Sequence, residues 1–192
     1  MKMKTIWIAT SNAHKVEEFQ AMLKDCKIKC LKDLDYSLDI EEDGLTFEAN
    51  ALIKARALYH AIHEPVISDD SGLEVDAMDK MPGVYSARFL GENTSYDIKN
   101  QYIIDQVKGK DKTARYVCVI AYIDENGNEY TYRGECVGQV NDCMLGENGF
   151  GYDPIFYYPE FETTLANVSE EKKNSVSHRG KALESFLKDW GK

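Results

Sequence analysis

Over the first 68 residues the hydrophobic pattern changes period again and again, and this alternation constrains the fold more than any other feature. Ile6, Trp7, Ile8 and Ala9 make a continuous apolar run inside residues 4–10, as in a strand buried on both faces. A small polar turn follows, and Val16, Phe19, Met22 and Leu23 then share one helical stripe, with Ser11 or Asn12 available as its cap. Residues 28–31 predict a short second strand. Thr46 is placed to cap a helix reaching about His63, with Phe47, Ala51, Leu52, Ala55, Leu58 and Ile62 on its buried face. Residues 66–68 return as a strand. The order β-α-β-α-β calls for an α/β sheet with helices packed on it.

The second half changes character. The stretch 82–89 reads as a Pro-Gly turn and an extended segment, and Thr94 or Ser95 opens a helix ending near Val107 and Gly109. Two long strands, 114–124 and 129–140, flank Asn126-Gly127, a strong hairpin signal. Residues 154–159 read as extended. Residues 180–190 form a last helix, with Leu183, Phe186, Leu187 and Trp190 inward. No linker separates independent domains, so residues 1–192 are expected to form a single domain.

With 43% hydrophobic residues the chain can bury a sizeable core, and its net charge of −10 opposes a phosphate-backbone partner, so nucleic-acid binding is not expected. A small anionic ligand remains open to it through a local group of Lys and Arg or a bridging cation. The cysteines are odd in number and contain no C-x-x-C pair. Cys26 and Cys30 have no second pair at zinc-finger spacing, and a reducing compartment is the simpler expectation. The first apolar segment is too short for a signal-peptide core and no run is long enough to span a membrane, so a cytoplasmic protein with no membrane partner is expected.

Four stretches carry chemistry, each beside a plainer reading. Thr10-Ser11-Asn12-Ala13-His14-Lys15 ends a strand and opens a helix whose free N–H groups and Lys15 can receive an anion; the same residues also make an ordinary capped helix. The glycines of a P-loop are absent. Asp69 and Asp70 follow an apolar strand, near the acidic run Glu41-Glu42-Asp43. On extended chain the two Asp side chains point to opposite faces and are not expected both to be core, and oxygen donors without histidine suit a hard ion such as Mg²⁺. The alternative is one Asp capping a Ser71-Gly72 turn and the other solvated. Gly146 to Phe156 sets Phe150 and Tyr152 among glycines, as either a stacking platform for a base or a turn whose aromatics fill the core. Lys172, Lys173, His178, Arg179 and Lys181 form a basic island, either a clamp for phosphate and carbonyl oxygens or a solvated helix start. Together these are the parts needed to hold a nucleoside triphosphate with Mg²⁺.

At these residues the sequence resembles the inosine triphosphatase family of non-canonical purine nucleoside triphosphate pyrophosphatases. ATSNAHKVEEF, EEDGLTFEANALIKA, SDDSGLEVDAM, PGVYSARF, GFGYDPIF and EEKKNSVSHRGKAL occur in family order over nearly the whole chain. The resemblance implies an elongated mixed sheet flanked by helices, with two lobes and a central substrate cleft. It also implies Mg²⁺-dependent hydrolysis of ITP, dITP or XTP to the monophosphate and pyrophosphate by a homodimer. By position, it assigns Thr10, Ser11, Asn12, Lys15 and Lys54 to the phosphates, and Glu42 and Asp70 to the metal. Asp70 becomes the proton acceptor, with Asp69 as the other candidate. Ser71 and Arg88 become substrate contacts, while Phe150, Gly151, Tyr152, Asp153, Lys173, His178 and Arg179 serve the base and sugar. One departure stands out: the family's Pro-Arg-Gly segment before GFGYDP is replaced here by Asn-Asp-Cys-Met-Leu-Gly-Glu-Asn, which bears on the shape of that loop and on substrate preference. Donors from His178 or Arg179 would suit the 6-oxo group of inosine or xanthosine and face the adenosine amine donor to donor. Two other readings of the same parts are a pyrophosphatase of modified pyrimidine nucleotides on a related fold and a non-catalytic nucleotide sensor.

Overall fold

The structure is a computed structural model, and it describes residues 4–190. In chain order its elements are β1 (Lys4–Ile8), α1 (Ala13–Met22), β2 (Cys26–Cys30), α2 (Phe47–Ile62), β3 (Val66–Val75), α3 (Tyr96–Val107), β4 (Thr113–Ile123), β5 (Glu129–Val140), β6 (Phe156–Tyr158), β7 (Thr163–Thr164), α4 (Glu170–Asn174) and α5 (His178–Trp190). The strands form one mixed sheet in the order β2-β1-β3-β4-β5-β6-β7. β1 is parallel to both β2 and β3, whereas β5–β6 and β6–β7 are antiparallel. The expected α/β architecture, a mixed sheet flanked by helices, is the observed one.

The chain forms two compact units. The first takes the residues up to Asp70, Val119–Arg133 and those from Leu183; the second takes Ser71–Cys118 and Gly134–Ala182. In the first, β1 has a strand on either side, with Trp7 opposite Val66 and Ile8 opposite Ile67. That position explains its unbroken apolar run: Ile6, Trp7 and Ile8 are all buried, as are Phe19 of α1 and Phe47, Ala51, Ala55 and Leu58 of α2. Asn12 caps α1, its Oδ1 accepting from the backbone N–H groups of His14 and Lys15, and Thr46 caps α2 through the N–H of Ala49. In the second unit, Leu73, Val75, Phe89, Ile103, Val107, Tyr116, Cys136, Tyr152, Ile155 and Phe156 make one core. Burial pushes the Cys136 thiol up to about 11, so it stays protonated at neutral pH.

Three expectations are corrected. The strand at residues 66–68 does not stop at the carboxylates: β3 continues through Asp69, Asp70, Ser71 and Gly72 to Val75, so the Ser-Gly pair is not a turn. The stretch 82–89 is not extended but contains a 3-10 turn at Gly83–Tyr85, closed by the Ser86 hydroxyl donating to the Gly83 carbonyl. The last helix begins at His178, preceded by the short α4. The hairpin at Asn126-Gly127 is present. Gly127 has φ +82°, a region that suits glycine, and Asp124 Oδ1 accepts from the N–H groups of Asn126 and Asn128. Among the described residues no helix is long and apolar enough to cross a membrane.

An aromatic group in the first unit makes stability pH-dependent on the alkaline side. Tyr122 meets Phe186 and Trp190 edge-on, and Tyr132 meets Phe186 in the same way. Burial, then the nearby acids Glu125 and Asp124, push Tyr122 up to about 12; burial and Asp189 push Tyr132 up to about 12. An unfolded tyrosine loses its proton near pH ~10. Between that pH and about 12, the unfolded chain has released protons that the folded one retains, so stability falls as pH rises through this window. Denaturant unfolding at pH 9 and pH 11 should show that loss, and it should be smaller in the Tyr122→Phe, Tyr132→Phe double variant.

Candidate active site

Two sets of the anticipated residues assemble, one in each unit. The first gathers at β3. Asp69 and Asp70 are only 1% and 8% exposed, which overturns the expectation that they could not both be core. Both are buried because each has its own ammonium partner. From α1, Lys15 Nζ lies 2.9 Å from Asp69 Oδ2. From α2, Lys54 Nζ lies 3.3 Å from Asp70 Oδ1 and 3.0 Å from Glu42 Oε2. Asp69 is thus held by Lys15, and Glu42 and Asp70 share Lys54.

The local sequence builds this set. Thr10 Oγ1 accepts from the Asn12 N–H, and Asn12 Oδ1 caps α1, which places Lys15 in the first turn. Ser11 and Asn12 are exposed there and Thr10 is partly so. The loop carrying Glu42 is fixed by the buried Asn50, whose Oδ1 accepts from the Gly44 N–H at 2.8 Å. A Cβ at Gly44 would lie 2.5 Å from that oxygen, so no larger residue fits.

Burial and charge act in opposition on the two central groups. For Asp70, burial raises the pKa; Lys54 pulls it down, Glu42 pushes it up again, and the balance is upward. For Lys54, burial lowers the pKa, but Asp70, Asp69 and Glu42 outweigh it and the net shift is upward. Lys54 therefore stays charged, while Asp70 is a better proton acceptor than an exposed Asp.

Asp70 Oδ2 is buried and has no hydrogen-bond partner among the described residues. It is the natural donor for a cation, since an orphaned carboxylate oxygen is costly unless something positive reaches it. Among the described residues no group of three or more His, Cys, Asp or Glu side chains forms a ready cage. A small hard cation does not need one, because it binds through one or two carboxylates and keeps water or phosphate oxygens elsewhere. Glu42 and Asp70, both on Lys54, fit that pattern.

The second set is built on Asp153, which follows the turn Gly149-Phe150-Gly151-Tyr152. Asp153 is buried; its Oδ1 accepts from the Tyr116 hydroxyl at 3.0 Å, and its Oδ2 from the Phe150 N–H at 3.0 Å and Lys173 Nζ at 2.7 Å. Gly149 has φ +72°, and a Cβ on it would lie 2.2 Å from Asp153 Oδ2, so the turn needs glycine for both its backbone and its space. The aromatics divide the two roles left open by the sequence. Phe150 is 55% exposed beneath Lys173 Nζ, 4.4 Å from the ring centroid, while Tyr152 is core and donates to the Ser86 carbonyl at 2.6 Å.

His178 opens α5 with its ring stacked on Tyr116, centroids 4.9 Å apart and planes 16° from parallel. The adjacent Arg179 is buried, and its Nη2 donates to Ser71 Oγ at 3.2 Å. α5 can approach β5 because residue 134 is glycine: a Cβ there would lie 2.2 Å from the His178 carbonyl oxygen. Arg88 is exposed with its guanidinium over the Tyr85 ring, 5.1 Å from the centroid. Sequence reasoning missed Tyr116, which holds Asp153 and backs His178. Its place on an apolar strand gave no sign beyond that of a core aromatic.

The sequence profile of the Ham1 family matches residues 6–189. A dITP/XTP pyrophosphatase from Desulforamulus reducens is 44% identical over 185 residues, covering 94% of this chain and 92% of the relative. The Staphylococcus aureus Ham1 protein is similar in structure, with a TM-score of 0.89 at 40% identity over 97% of this chain and 99% of that one. A HAM1 protein from Coxiella burnetii gives a TM-score of 0.91 at 37% identity, over 98% and 99% of the two chains.

Proposed function

The chain belongs to the Ham1 family, and from that membership and the site geometry we propose that it hydrolyses dITP, ITP and XTP to the monophosphate and pyrophosphate with Mg²⁺. The observation that carries this reading is the arrangement at β3: paired carboxylates on one ammonium, with one buried Asp70 oxygen left over. Glu42 and Asp70 hold the cation, and Mg²⁺ when bound supplies charge neutralisation on the phosphate oxygens.

Asp70 takes the proton of the attacking water. As the new oxygen–phosphorus bond forms at the α-phosphorus, the bridging bond to the β-phosphate breaks and its electron pair leaves with pyrophosphate. Lys15 and Lys54 stabilise that charge; an ammonium has three donors, and Lys54 spends two on Glu42 and Asp70. Asp69 is the alternative acceptor. Its salt bridge to Lys15 favours a role in holding that lysine. Thr10, Ser11 and Asn12 line the phosphate side through the turn before α1.

For the base, Phe150 offers a stacking face, and Lys173, held by Asp153, stands over the Phe150 ring. His178 or Arg179 donates to the 6-oxo group, and Ser71 and Arg88 contact substrate. The enzyme works as one domain, since β3, β4 and β5 each run through both units. It acts as a homodimer in a reducing cytoplasm, where its odd number of cysteines is not expected to be used in disulfides.

The test is pyrophosphate release from ITP, dITP, XTP, GTP, ATP and a modified UTP, with Mg²⁺ and with chelator. Release from the first three, lost with chelator, is the expected result. Preference for the modified UTP, or tight binding without release, would overturn the proposal in favour of a pyrimidine enzyme or a sensor.

A further inference from the structure

The Gly149–Tyr152 turn is held from a second side that the proposed reaction does not use. Asn100, on the second turn of α3, is 1% exposed, and its Nδ2 donates to the Gly151 carbonyl at 3.1 Å. Gly151 has φ +64°, and its carbonyl lies between Phe150 and Tyr152. Asn100 Oδ1 is buried with no hydrogen-bond partner among the described residues, so the amide's one polar contact is with this loop. An amide buried half-satisfied is unfavourable by itself, and an apolar residue would suit the helix face better unless the loop needs the bond.

The neighbours on α3 converge on the same place. Tyr96 meets Tyr152 edge-on at 5.2 Å, and a Cβ on Gly151 would lie 3.6 Å from the Tyr96 ring. Lys99 is buried over the Tyr96 ring and donates to the Ala87 carbonyl at 2.8 Å, next to the Ser86 carbonyl that accepts from Tyr152. The loop thus hangs on Asp153 through the Phe150 N–H and on Asn100 through the Gly151 carbonyl.

We infer that Asn100 is a positioning residue that sets base affinity by fixing the Gly151 peptide, and with it the exposed Phe150 ring, without touching substrate. This rests on the reading of that loop as the base site. A residue acting there affects binding of the base and leaves the phosphate chemistry alone.

The test uses the full chain with Asn100→Leu, which keeps the shape and removes the donor, and Asn100→Ala. Hydrolysis of dITP is compared with hydrolysis of ribose 5′-triphosphate, which has no base, at saturating Mg²⁺. The expected result is a KM for dITP raised roughly tenfold, with kcat within about twofold and KM for ribose triphosphate unchanged. Hydrogen exchange should quicken at the amides of residues 149–152 and not elsewhere. The inference is overturned if KM for dITP does not move, if both substrates lose equally, or if exchange quickens throughout the protein. Equal KM for the two substrates in the wild-type protein would instead remove the base-site reading, and the inference with it.

Discussion

Replacing Asp70 with Asn is expected to lower turnover of dITP about 10³-fold, the size of effect that follows loss of a positioned general base, while the protein stays folded. Asn keeps the shape and can still accept from Lys54, but it cannot take a proton from water and is a poor ligand for a hard cation. The stability half of the prediction follows from the sign of the shift. Burial lifts the pKa of Asp70 in the folded protein above that of an exposed Asp. The folded state therefore holds this proton more tightly than the unfolded chain does. The contribution favours folding below the unfolded pKa and is lost as pH rises through the folded value. At neutral pH the ionised carboxylate is a net cost to the fold, which a neutral isostere removes. Lys54 loses one counter-charge and keeps Glu42. The melting temperature should therefore be unchanged or higher. Pyrophosphate release and thermal melting of the same preparation check both halves. Near-normal turnover would remove Asp70 from the chemistry, and a collapse in melting temperature would make the loss of activity a folding effect.

The first unit was the more legible in sequence because its signals are local. Ile6 to Ala9 reads as a doubly buried strand from its unbroken apolar run, and the caps at Asn12 and Thr46 announce α1 and α2 within a few residues. What local reading missed was pairing at a distance. Asp69 and Asp70 looked incompatible with burial because like charges in a strand must be matched from outside it. Their partners, Lys15 and Lys54, come from two different helices, α1 and α2. The short strands of the second unit are harder to read for the same reason. Thr163–Thr164 is a strand only because Tyr157 and Tyr158 lie opposite. Asp153 illustrates both sides of this. Its place after a glycine turn was visible in sequence, whereas the grip of Tyr116 and Lys173 on its two oxygens depends on residues 37 and 20 positions away.

Lys54→Met should be the most destabilising single change in the first set, and its rescue should identify the role of the lysine. The substitution preserves the aliphatic stem and deletes the ammonium that Glu42 and Asp70 share. Two carboxylates are then left close together with no cation between them, and Asp70 is almost fully buried. Removing one partner of a buried pair costs about 3–5 kcal/mol. Glu42 is about a third exposed, so solvent screens part of the repulsion and roughly 3 kcal/mol is the expected size. Three consequences follow from that cause. Turnover falls, because a donor to the leaving pyrophosphate is gone. Without Lys54 to hold it down, the Asp70 pKa rises further, so the lost stability returns as pH falls and the carboxylate takes up its proton. A divalent cation can supply the missing positive charge, so Mg²⁺ should raise the melting temperature of the variant more than that of the wild-type protein. Melting curves at pH 5 and pH 8, with and without Mg²⁺, separate this from simple loss of packing, which neither acid nor cation would repair.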